Sequence, residues 1–127
     1  MDRTVKLNDM WFFREGKKDV SFLEKHFGEK GNLPVESKNA FVICRKIICP
    51  KQVNDTVTVC FSGEYENMRV FGDKLQLTPF LNEEGKEVYD ITPSLKTGVF
   101  YLSAFADKGK IDGFYLSVKR DIKEKTE

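Results

Sequence analysis

Residues 56–63 read TVTVCFSG, an alternation that puts Val57, Val59 and Phe61 on one side of an extended chain and Thr56, Thr58 and Cys60 on the other. A period of two over this length predicts a strand with one face in a core and the other nearer solvent or a second layer. Related patterns recur along the chain. Val5 and Leu7 alternate with polar neighbours, and Trp11 and Phe13 then point inward from a second short strand. The run NAFVICRKIIC, almost wholly apolar apart from Arg45 and Lys46, is closed by Pro50 and reads as a buried strand, because proline cannot donate to a continuing ladder. NMRVFGDKLQLTPF reads as a hairpin about Gly72 and Asp73, with Met68 and Val70 before the turn and Leu75 and Leu77 after it. KEVYDIT, TGVFYLSAFAD and KIDGFYLSVKR supply three further strands.

One segment has another period. The spacing of Val20, Leu23, Glu24 and Phe27 predicts a short helical segment near residues 20–27, opened by Ser21 and stopped by Gly28. About eight strands at turn spacings typical of all-β folds predict a two-sheet β-sandwich or jelly roll, since an open meander would leave free edges. With 127 residues the chain has one domain's worth of sequence, expected over 1–120, followed by a charged tail at 121–127 that frays.

Charge excludes some functions. Lys and Arg number 21 against 20 Asp and Glu, a formal balance of +1, so no general field draws the chain to nucleic acid or anionic lipid. No apolar run approaches the roughly 20 residues of a membrane span. The N-terminal MDRTVKLNDMWFFREG lacks the apolar stretch of a secretory leader, so the sequence as given implies a cytoplasmic location. Cys44, Cys49 and Cys60 are an odd number placed inside strand-like runs and read as reduced thiols, with a Cys44–Cys60 bridge between neighbouring strands left open.

Chemical motifs are sparse. A retaining glycosidase needs two carboxylates about 5 Å apart in a cleft, whereas Glu64, Glu66, Glu83, Glu84 and Glu87 all fall in turn-like stretches accompanied by lysine. The one histidine, His26, follows Lys25 and has no diagnostic Ser or Cys beside it. Cys44 and Cys49 are separated by a strand-like segment rather than a zinc knuckle, and Asp107 and Asp112, considered for structural calcium, read as turn aspartates. The expectation is a chain that is not an enzyme and carries no metal or cofactor.

Several stretches carry a resemblance. LNDMWFFREG, the following NLP, FVICRKIICP, VTVCFSGEYENMRVFGDKL and above all YDITPSLKTGVFYLSAFAD are together similar to the N-terminal β-sandwich domain of glycoside hydrolase family 2, the β-galactosidase and β-glucuronidase group. The resemblance spans nearly all of residues 6–120 and implies a galactose-binding-domain-like jelly roll. The family's two catalytic glutamates belong to a barrel domain of about 250 residues, which this chain does not contain, so the resemblance implies no hydrolysis. By position it points to Asn32 and Asp107 as ligand contacts. The loops 32–38, 62–67 and 106–113 add Glu36, Tyr65 and Lys108 as their neighbours. Trp11 is assigned to the core. The functional expectation is a non-catalytic carbohydrate-recognition or accessory module. The alternative is a protein-interaction or structural module, self-associating or docking to a partner, with Phe71, Phe80 and Tyr89 forming an exposed apolar patch.

Overall fold

The computed structural model describes residues 2–16, 29–49, 55–73, 75–81, 85–95 and 98–120. The predicted helical segment near 20–27, with His26, lies outside the described residues, as do Glu83, Glu84 and the tail 121–127. Among the described residues twelve strands are formed: β1 (Asp2–Lys6), β2 (Trp11–Glu15), β3 (Glu29–Gly31), β4 (Val35–Ser37), β5 (Phe41–Ile48), β6 (Asp55–Glu66), β7 (Arg69–Gly72), β8 (Leu75–Leu77), β9 (Pro79–Leu81), β10 (Glu87–Asp90), β11 (Val99–Ala106) and β12 (Lys108–Arg120). Sheet A has the order β1-β12-β6-β10-β9, with β4 also paired to β12, and sheet B has the order β3-β2-β5-β11-β7-β8. Every pairing is antiparallel. The two sheets form the expected β-sandwich. Strands not foreseen in sequence include the three-residue pieces β3, β4 and β9, too short to show a period.

The chain changes sheet repeatedly: β5 in sheet B is followed by β6 in A, β7 and β8 in B, β9 and β10 in A, β11 in B and β12 in A. Strands on either side of each change therefore lie in opposite sheets, and the alternating apolar residues of the two sheets meet in the middle. Val57, Val59 and Phe61 of β6 are buried as the alternation predicts, against Phe41, Ile43 and Ile47 of β5 and Phe100, Leu102 and Ala104 of β11.

Trp11 stands at the centre. It is 1% exposed, its ring meets Phe114 edge-on at 5.1 Å and tilts against Phe61 at 6.1 Å, and its indole N–H donates to the Leu7 carbonyl at 2.9 Å. The turn leading into it is tied down by Asn8, whose side-chain oxygen accepts the Phe114 N–H at 3.0 Å while its carbonyl accepts the Leu33 N–H at 2.7 Å. Arg45 closes the same turn by donating to the Asp9 carbonyl and carboxylate.

The Asp-Ile-Thr-Pro sequence works as a turn device. Asp90 accepts the Thr92 N–H at 2.9 Å, Thr92–Ser94 form one 3-10 turn with Pro93 at its start, and the Thr92 hydroxyl accepts the Val57 N–H at 2.8 Å and faces the Val57 carbonyl at 3.3 Å. One side chain thereby ties the turn after β10 to β6, the strand beside β10 in sheet A. The Gly72-Asp73 hairpin also forms, with β7 and β8 paired from Val70–Leu77 to Gly72–Leu75.

The cysteines are free, as read from sequence, and two expectations about side chains are revised. Cys44 packs with Val42 and Phe105 on the outer face of sheet B, while Cys60 lies on the outer face of sheet A, so the sandwich separates the two sulfurs and no Cys44–Cys60 bridge forms. Tyr89 is not part of an exposed patch: it is 3% exposed and points into the core from β10. Phe71 is half-buried beside Phe105 on sheet B, which leaves Phe80 of the proposed patch exposed, at 47%.

Candidate functional site

The two longest strands, β6 and β12, pair over their whole lengths and carry β4 on the far side of β12. At that end Ser37, Gly109 and Tyr65 stand level on three adjacent strands, and Glu36, Lys110 and Glu64 stand level at the next position. Alternation sends Tyr65 toward the core and sets Glu36, Lys110 and Glu64 on the outer side with Lys108 and Glu66. Here an open depression of about 630 Å³ is lined by Glu36, Ser37 and Lys38 from β4 and its exit, by Glu64, Tyr65 and Glu66 from β6, and by Lys108 and Gly109 from β12. Three of the residues expected from sequence, Glu36, Tyr65 and Lys108, are brought together in it.

The close approach of strands at this place depends on Gly109. Its φ is +128°, and a Cβ there would lie 2.3 Å from the Glu64 carbonyl oxygen and 2.5 Å from the Tyr65 Cα. Tyr65 forms a fixed, partly buried side: its ring packs against the core and its hydroxyl donates to the Phe61 carbonyl at 3.2 Å. Burial, then the neighbouring Glu87 and Cys60, push its hydroxyl above the usual phenol range, so Tyr65 is neutral at physiological pH. Ser37 is committed to the fold, donating to Glu15 and accepting the Asn39 N–H. Lys108 and Glu66 form an exposed ion pair at 3.6 Å. Among the described residues Glu36, Glu64 and Lys38 have no ion-pair partner, and they give the depression two carboxylates and one ammonium able to meet a ligand.

Asn32 and Asp107 lie outside this lining. Asn32 is exposed between β3 and β4. Asp107 holds the β11–β12 turn: its carboxylate accepts from Asn67 at 2.7 Å and Arg69 at 3.2 Å, and its N–H donates to the Glu66 carbonyl. Asp112 faces Lys110 at 3.5 Å. Each aspartate is thus matched to a cation, Asp107 to Arg69 of β7 and Asp112 to Lys110 of its own strand. Among the described residues no group of three His, Cys, Asp or Glu side chains could hold a metal ion, and no helix is long and apolar enough to cross a membrane. Lys38, Glu64 and Glu66 were not singled out in sequence as contacts, although the loops 32–38 and 62–67 contain them. What unites them is strand register, which no local pattern encodes.

Electrostatics inside the sandwich yield a pH prediction. Burial, reinforced by Glu87 and Tyr65, pushes the Tyr89 hydroxyl from its ordinary value near 10 up to about 12. Burial likewise raises the Cys44 and Cys49 thiols above their ordinary value. These groups hold their protons more tightly folded than unfolded, so their contribution is fully present below the unfolded values and is lost as pH rises through the folded ones. Urea denaturation should show stability falling between pH 9 and pH 12, with Tyr89 accounting for about 1–3 kcal/mol of the loss above pH 10. Tyr89→Phe, whatever its baseline stability, should flatten the slope above pH 10; an unchanged slope would assign the loss to other groups.

No protein-family model and no curated protein sequence matches the chain. Solved structures do match in fold. A β-glycosidase from Bacteroides vulgatus superimposes with a TM-score of 0.73 and 18% identity, over 93% of this chain and 20% of its own. A β-glucuronidase from Bacteroides uniformis does so with a TM-score of 0.75 and 12% identity, over 93% of this chain and 18% of its own. The chain therefore has the fold of the N-terminal β-sandwich domain of family 2 glycoside hydrolases, the fold implied by its turn and strand motifs. It spans about one fifth of the length of these two enzymes.

Proposed function

We propose that this chain is a non-catalytic accessory β-sandwich that recognises carbohydrate at the depression between β4, β12 and β6. The observation that carries the reading is convergence: Glu36, Tyr65 and Lys108, from three separated segments, line one open polar depression. Unpaired carboxylates accept hydrogen bonds from adjacent sugar hydroxyls, and the lysines donate to ring and hydroxyl oxygens. The glycosidase and glucuronidase names of the two enzymes sharing the fold support carbohydrate as the ligand class.

The arrangement argues against a retaining pair of carboxylates in this chain. Glu36 and Glu64 stand on strands separated by β12, so their backbones are about 10 Å apart, and Lys110 stands level between them. A retaining pair requires about 5 Å between carboxyl groups. Glu66, the third carboxylate, is engaged by Lys108.

A second reading has its own observation. The edge strand β9 leaves Phe80 and Leu81 exposed at 47% and 67%, suited to association with a partner or a second copy. Calorimetric titration with mono- and oligosaccharides, beside sedimentation of the same protein, separates the two. Carbohydrate recognition predicts binding that Glu36→Gln and Lys108→Met each weaken by about fivefold or more, roughly 1 kcal/mol. No saccharide binding at millimolar concentration, together with dimerisation abolished by Phe80→Ser, would replace the first reading with the second.

A further inference from the structure

The β4 wall of the depression has few bonds within its own sheet. β4 has three residues, and among the described residues its ladder is with β12 alone, over Val35, Glu36 and Ser37. A strand this short with one neighbour opens readily unless something else holds it. Here both of its ends are tied from outside sheet A. Before β4, the Leu33 N–H donates to the Asn8 carbonyl at 2.7 Å, in the turn that leads into β2. After β4, the Gly16 N–H donates to the Ala40 carbonyl at 2.6 Å, and the Ser37 hydroxyl donates to a carboxylate oxygen of Glu15 at 2.5 Å. Glu15 is the last residue of β2, so this second tie crosses from one sheet to the other.

Ser37 is the joint of that tie. It stands level with Tyr65 on the inner side of sheet A, while Glu15 follows Trp11 and Phe13 on the inner side of β2, so the two side chains meet at the rim of the sandwich. Ser37 is 6% exposed, and its oxygen also accepts the Asn39 N–H at 3.0 Å, fixing the turn out of β4. A hydrogen bond to an ionised carboxylate is roughly twice as strong as a neutral one. Glu15 does not line the depression, but Glu36 and Lys38, the residues on either side of Ser37, do. These are two of the charged side chains there without an ion-pair partner among the described residues.

We infer that Glu15 is a positioning residue for the depression: acting through Ser37 from the opposite sheet, it fixes the β4 wall and so places Glu36 and Lys38. The inference rests on the depression as the binding site proposed above and adds the residue that shapes it. Without the carboxylate, the Ser37 hydroxyl loses its acceptor, and β4 keeps only its short ladder and the backbone bonds at Leu33 and Ala40.

Hydrogen exchange resolved by residue, in the wild type and in Glu15→Ala, Glu15→Gln and Ser37→Ala, tests this without any ligand. Glu15→Ala and Ser37→Ala should each speed exchange of the protected amides among residues 35–37 by about tenfold or more, leaving β5 and β11 unchanged. The double variant should be no faster than either alone, because both changes remove one bond. Glu15→Gln keeps an acceptor oxygen and should restore most of the protection. Titration with the saccharide the wild type binds best gives a second readout. Glu36→Gln, expected to weaken binding about fivefold in the wild type, should weaken it less than about twofold in the Glu15→Ala background. Thermal melting checks folding, and Ser37→Ala carries the test should Glu15→Ala fail to fold. Wild-type exchange at residues 35–37 in the alanine variants, or an undiminished effect of Glu36→Gln beside Glu15→Ala, would overturn the inference. Faster exchange in the variants of a protein that binds no saccharide would support the positioning role and overturn the carbohydrate reading alone.

Discussion

Replacing Trp11 by alanine should cost about 3–5 kcal/mol and lower the melting temperature by roughly 10–20 °C. The indole is 1% exposed and fills the space between Phe61 and Phe114, so truncation opens a cavity between β2, β6 and β12 that rigid aromatic neighbours close poorly. It also removes the N–H bound to the Leu7 carbonyl, one of the contacts that hold the turn between β1 and β2. Trp11→Phe keeps much of the ring area and should lose less, about 1–3 kcal/mol. Paired urea denaturation of the two variants measures both. A loss under 1 kcal/mol for the alanine variant would show that this aromatic cluster is not the centre of the core.

Gly63→Ala should be the second severe change, at about 2–4 kcal/mol. Gly63 has φ +139°, and an added Cβ would lie 2.2 Å from the Lys110 carbonyl oxygen and 3.0 Å from the Asp112 nitrogen. The crowding atoms are backbone, so no rotamer change relieves them. Gly63 stands where β12 carries an irregularity, the register with β6 shifting between Ile111 and Gly113. Gly31→Ala is the control: nothing lies within 4 Å of its Cβ position and its φ is ordinary, so it should change stability by less than about 0.5 kcal/mol. Melting curves of the two variants should therefore differ by roughly 10 °C, and the Gly63 variant should also disturb the neighbouring depression, whose strands share that backbone.

The parts of the fold legible in sequence were those whose physical cause is local. Alternation in TVTVCFSG predicted which side of β6 is buried, because a strand's side chains must point to opposite faces whatever it pairs with. The Asp90, Thr92 and Pro93 turn was legible because its hydrogen bond and fixed φ lie within a few residues. Trp11 could be assigned to the core because the family resemblance places it in a core-facing opening strand; alternation alone could not do so, since the adjacent Phe12 is apolar as well and packs on the other face. Tyr89 was misjudged as exposed for the same reason: Val88 and Tyr89 are both apolar and adjacent, both are buried, and only the pairing of Tyr89 with Val59 shows which one enters the core.

The candidate site was legible only as a set of loops. Glu36, Glu64 and Lys108 are separated by long stretches of chain, and each is an ordinary polar residue in its own segment. They meet because β4 and β6 pair with opposite edges of β12 in a particular register. A shift of one residue in either pairing would send their side chains to the other face.

By itself, the sequence determined an all-β chain, the inward faces of its longer strands and the turns that reverse it, since these follow from side-chain alternation and short-range backbone chemistry. Only the tertiary structure decided that Cys44 and Cys60 lie on opposite outer faces, that Asp107 is bound up with Arg69 and Asn67, and that charged and aromatic residues from distant strands share one surface. Those are consequences of strand order and register, which are set by the packing of two whole sheets and by no single stretch of the chain.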